Sequence, residues 1–176
     1  MRTSLAKRIA LYGILGAATY AAKMALVFLP NVEPVSLFIM LFAVCIGWEG
    51  LYAVYVYVIL EYVTWGLHYW AICYLYVWLV LFALARLLRK AESPVIWASL
   101  SGIFGLSFGA LCAIVYFFIG GWEFALSWWI SGLTLDIVHG VANFAIALVL
   151  FKPLKKILDK LVIQYVQQYS SLERPV

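Results

Sequence analysis

Three polar residues sit inside one long apolar stretch of this chain. They are Asp136, His139 and Asn143, within Trp128 to Leu158, WWISGLTLDIVHGVANFAIALVLFKPLKKIL. An acid, an imidazole and a carboxamide supply an acceptor of charge, a proton-exchanging ring and a group that both donates and accepts. Offsets of three and four residues put all three on one face of a helix. The stretch is long enough to cross a bilayer, whose hydrocarbon core takes about 20 apolar residues. Polar groups at that depth are costly and face protein or a water-filled cavity. The chemistry expected of this helix is ligand recognition or proton relay within a membrane bundle.

Other polar and aromatic residues gather where the intervening loops fall. Asn31 and Glu33 occupy a first loop, with Lys23 in the helix below it. Glu61, Trp65, His68, Tyr69 and Trp70 cluster at a second turn, and Trp122, Glu123, Trp128 and Trp129 at a third. Trp and Tyr at such positions form interfacial belts. Tyr74 and Trp78, four apart, run deeper than a belt. With Asp136, His139 and Asn143 they suit a small, flat, polar ligand, whose faces the rings would stack and whose orientation the polar groups would fix. Plainer roles stay open: an internal Asp136–Lys23 salt bridge, a neutral core His139, and an interfacial Glu61.

The elements that position these residues follow from composition. Of the 176 residues, 67% are hydrophobic and 11% charged, and mean hydropathy is +1.03. Soluble domains are nearer 45–50% apolar and about 25% charged, so the expected class is an all-α integral membrane protein forming one compact bundle. Six spans are expected, at about residues 9–29, 35–46, 51–65, 71–88, 95–119 and 124–151, with a tail over 152–176. The second and third are short for a bilayer, so they either merge with their flanks or shelter among longer neighbours. Of the basic residues, Arg2, Lys7 and Arg8 precede the first span. Arg86, Arg89 and Lys90 separate the fourth from the fifth, and Lys152, Lys155, Lys156, Lys160 and Arg174 follow the sixth. The other side carries none. The positive-inside rule then places both termini in the cytoplasm. The net charge of +4 reads as topology and not as affinity for nucleic acid.

Gly105-Leu106-Ser107-Phe108-Gly109 spells G-x-S-x-G, but a serine nucleophile needs a strand–turn–helix elbow and free backbone N–H groups. Ser107 falls inside a continuous helical pattern. Ser101, Gly105, Gly109 and Ala113 instead form a row of small residues suited to close helix packing. Cys45, Cys73 and Cys112 lack paired spacing and are expected to be reduced core residues. No metal-ligand spacing, cofactor motif or internal repeat is present, and no enzymatic activity is expected.

The first span carries a row of Gly13, Ala17, Ala21 and Ala25 beside Ala18 and Ala22. Such a row packs within the protein or docks a second membrane protein. The segment Gly16-Ala17-Ala18-Thr19-Tyr20-Ala21-Ala22-Lys23 resembles the A-x-x-x-A docking segment of substrate-binding S-components of energy-coupling factor (ECF) vitamin transporters, with the register open between Ala17/Ala21 and Ala18/Ala22. Leu29 to Val35 and Ser131 to Phe144 resemble segments of the same family, as do six spans in a chain of this size. The resemblance implies a micronutrient-binding subunit of an ABC importer in a bacterial plasma membrane. It implies a B-type vitamin or related heteroaromatic ligand, held by Asn31, Glu33, Tyr74, Trp78, Asp136, His139 and Asn143 and closed over by tryptophans including Trp128. It also implies docking through Ala17, Ala18, Ala21 and Ala22 on a membrane T-component driven by two cytoplasmic ATPases. An autonomous proton-coupled carrier is the alternative.

Overall fold

The computed structural model describes residues 5–172, with side chains through Val162. Arg2 and Arg174, two of the residues used for orientation, lie outside the described residues. The described residues are helical and contain no strand: α1 Leu5–Met24, α2 Val35–Cys45, α3 Gly50–Trp65, α4 Tyr69–Ile72, α5 Val77–Leu87 and α6 Pro94–Leu172. A 3-10 turn, Cys73–Leu75, joins α4 to α5.

Helix α6 is two helices. Gly121 has φ 78° and ψ −172°, a backbone conformation open to glycine and strained for any other residue. There the chain reverses. Trp97 stacks on Phe151 at 4.3 Å, and Tyr116 on Trp128 at 4.1 Å, so residues pair outward from the bend as in an antiparallel hairpin. The two halves touch through the predicted row of small residues. A Cβ on Gly105 would lie 2.8 Å from the Gly140 Cα, so nothing larger fits the crossing. Where lipid removes the usual hydrophobic drive, such close backbone approach is what holds helices together.

Helix α2 has 11 residues and is buried on every side, with Val35, Leu37, Ile39, Met40, Leu41, Phe42 and Ala43 all enclosed. At 1.5 Å per residue it is about 16 Å long, and of the two alternatives it takes shelter, with α3, α5 and α6 around it. Helix α1 packs along α3. The expected fourth span is not one continuous helix: the 3-10 turn interrupts it between α4 and α5. The tail after Phe151 continues as helix to Leu172, and the hydrogen bond that Lys155 donates to Asp159 raises the lysine's pKa.

Two stretches, Tyr69–Leu87 and Pro94–Val162, are long and apolar enough to cross a membrane. The outer surface is apolar as well, with Val63 78% and Phe118 81% exposed.

The polar contacts divide the bundle into two ends. At one, Arg8 pairs with Glu49 at 2.5 Å, Tyr12 hydrogen-bonds the same carboxylate, and Arg86 donates to the Ala43 carbonyl at 2.9 Å. At the other end lie the α1–α2 loop, the α3–α4 turn and the Gly121 bend.

Candidate functional site

The second end holds a cleft of two adjoining compartments, of about 370 Å³ and about 170 Å³. Lys23, Asn31, Tyr74 and Phe108 belong to the walls of both. The larger adds Trp70, Trp128 and Asp136; the smaller adds Glu33, Trp78 and His139. These side chains come from α1, the following loop, the α4–α5 interruption and both halves of α6.

Local backbone sets each of them. The two prolines around Asn31-Val32-Glu33 limit the loop, since proline fixes its own φ and biases the residue before it away from helix. Asn31 takes a left-handed φ of 57°, which asparagine tolerates better than most residues. Its side-chain amide donates to the Leu135 carbonyl at 3.1 Å, which ties the loop to the second half of α6. Glu33 then reaches His139, Oε1 to Nε2, at 3.3 Å. The Phe108 ring meets the His139 ring edge-to-face at 4.9 Å.

The helical face of Asp136, His139 and Asn143 is directed inward, and all three are buried. Asp136 accepts the Gly109 backbone N–H through Oδ1 at 3.0 Å, while its Oδ2 is in no hydrogen bond, and the Trp129 indole N–H, also without an acceptor, approaches the same carboxylate. A Cβ on Gly109 would run into this carboxylate. Asn143 lies deeper and lines neither compartment; it donates to Ser36 Oγ at 3.0 Å and so joins α6 to the central helix. Tyr74 and Trp78 remain neighbours despite the interruption, with ring centroids 5.2 Å apart. Trp78 is 1% exposed, and its indole N–H has no acceptor.

Lys23 pairs with Glu61 at 2.5 Å, not with Asp136, and its ammonium lies 5.5 Å from the centre of the Tyr74 ring. Glu61 is therefore no interfacial residue: it is 1% exposed. The expectation for the cysteines is also corrected. Cys73 and Cys112 form a disulfide that fastens the 3-10 turn to α6, while Cys45 is free. Folding brought together two cysteines 39 residues apart, and no local spacing announces such a pair.

Phe108, in the sequence no more than a letter of the G-x-S-x-G string, lines both compartments. Its spacing of four from Phe104 was the available sign that an aromatic row faces inward. Ser107, beside it, lies within unbroken helix. A larger groove of about 530 Å³ runs between α1 and α3, lined by Leu5, Ile9, Tyr52 and Ile59 among others. It is apolar, lies at the basic end, and holds none of the converging polar groups.

On α1, Ala17, Ala18 and Ala21 are exposed and Ala22 is half-buried, and Ala25 just past its end is exposed. The small residue that packs inward is Gly16, where a Cβ would lie 2.6 Å from the Ala53 carbonyl oxygen. No protein-family model, curated protein or solved structure matches this chain.

Proposed function

We propose that this chain is the membrane-embedded, substrate-binding subunit of an ECF-type importer, capturing a small micronutrient from outside. The observation that carries the reading is the cleft. Aromatic faces and buried polar atoms from four parts of the chain converge there, at the end of the bundle opposite Arg8 and Arg86. Small-molecule sites have this composition, largely apolar with a few placed polar groups.

In this reading the chain crosses the membrane six times with both termini in the cytoplasm. The clustering of Arg8, Arg86 and the tail lysines supports that orientation by the positive-inside rule, and the apolar outer surface fits lipid. The cleft then faces outward. The exposed alanines of α1 are the docking face for a T-component, which two cytoplasmic ATPases drive. This subunit hydrolyses nothing itself.

A second reading has one observation in its favour. Lys23–Glu61 and Glu33–His139 are enclosed titratable pairs, as a proton-coupled carrier would use. Uptake into liposomes that hold this chain alone under a proton gradient would favour the carrier. Native mass spectrometry of protein purified in mild detergent tests the binding-subunit reading, through the mass of any retained small molecule.

A further inference from the structure

Resting on the binding-subunit reading, the geometry points to a ligand class: we propose that the larger compartment selects a planar nitrogen heterocycle bearing a positive charge or an N–H edge. The unpartnered oxygen of Asp136 is its acceptor.

Lys23, Glu33, Glu61, Asp136 and His139 are the titratable groups whose charge decides the balance. Lys23 is matched by Glu61 at 2.5 Å, and Glu33 by His139 at 3.3 Å. Asp136 has no cationic side chain bonded to it. One oxygen takes the Gly109 N–H; the other is in no hydrogen bond although the residue is only 5% exposed, with the Trp129 indole N–H, itself without an acceptor, as the nearby donor of the chain. Three carboxylates thus face one lysine and one histidine. A carboxylate oxygen accepts and cannot donate, so an anionic group set against it would place two like charges in an enclosed space. A donor from a cation or an N–H edge satisfies it, and hydrogen bonds to charged groups are the stronger kind.

Shape and ring chemistry agree. Trp128, Trp70, Tyr74 and Phe108 wall the compartment that holds Asp136. Aromatic faces attract cations and stack on flat rings. The Lys23 ammonium does not oppose this, because it is spent on Glu61 and lies over the Tyr57 and Tyr74 rings. Gly132 in the same wall, where a Cβ would meet nothing within 4 Å, leaves a flat ring room near the carboxylate.

The test uses three probes of one shape: benzamidinium, neutral benzamide and anionic benzoate. Each is titrated into the full-length protein in mild detergent, with tryptophan fluorescence as the readout. Benzamidinium is expected to bind at least about tenfold tighter than benzamide, with benzoate weakest. Asp136→Asn keeps an oxygen for the Gly109 N–H and should collapse the gap between the first two probes. Should that variant aggregate, the wild-type ranking decides alone. Benzoate binding as well as benzamidinium, an unchanged gap in Asp136→Asn, or no binding of any probe overturns the ligand class. Co-purification with an ECF T-component and its ATPases, measured in parallel, separates the two levels. Retained association with a reversed ranking removes only the ligand class, while loss of both removes the binding-subunit reading too.

Discussion

Gly109 donates its backbone N–H to the Asp136 carboxylate at 3.0 Å, across the two halves of α6, from a position where a Cβ would collide with the acceptor. The small-residue row therefore does more than let two helices approach. It sets the depth and direction of the acid in the cleft.

Gly109→Ala should push that carboxylate away, cost about 1–3 kcal/mol as overpacking does, and weaken ligand binding. Gly13→Ala is the comparison, since a Cβ there meets nothing within 4 Å and replaces a poor helix former. Thermal unfolding in detergent should show the first variant lowered and the second unchanged or raised. Equal behaviour would refute the assigned role of Gly109.

The Lys23–Glu61 pair makes a sharper thermodynamic case. Glu61 is enclosed and only one of its oxygens has a partner. Lys23→Met strands a buried charge and should cost about 3–5 kcal/mol, whereas Lys23→Met with Glu61→Gln should recover much of it. A double variant as unstable as the single one would show that the pair is not a unit.

The alanine face separates docking from folding. Ala17 and Ala21 are exposed, whereas Gly16 faces Ala53 and Val56. Ala17→Leu with Ala21→Leu should leave ligand binding and melting temperature within error yet abolish co-purification with an ECF module. Gly16→Leu should lower the melting temperature instead. Full association of the double leucine variant would remove the docking role.

Reduction is the test of the cleft wall. The Cys73–Cys112 disulfide closes a loop of 39 residues in sequence, and cross-links over loops of that order contribute about 3–4 kcal/mol. Reductant, or Cys73→Ser with Cys112→Ser, should lower the melting temperature and loosen ligand binding, because Cys73 and Cys112 line the larger compartment. No change on complete reduction would show that the wall stands without the bond.

Much of this arrangement was legible in the sequence. The shared face of Asp136, His139 and Asn143, the close-packing row on the first half of α6 and the break near Gly121 follow from local spacing, whereas the shortness of α2 left merging or shelter open. What was not legible depends on which distant residues meet. Lys23 had two carboxylates within plausible reach, and only the packing of α1 on α3 chose Glu61. Phe108 was hidden in an apolar run, where periodicity marks a face but not its neighbour. The interruption after Ile72 carries no proline or glycine, so the 3-10 turn is set by tertiary contacts, with Tyr62 donating to the Ala71 carbonyl and Tyr55 to that of Leu75. Asn143 shares the face of the other two but bonds Ser36, a partner more than a hundred residues away.

Native mass spectrometry of the protein, purified in mild detergent from cells grown in rich medium, tests the central claim most directly. The account predicts a retained small-molecule mass in the vitamin range, diminished by Asp136→Asn. A protein that emerges empty, and stays empty after incubation with a panel of B-type vitamins, would contradict it.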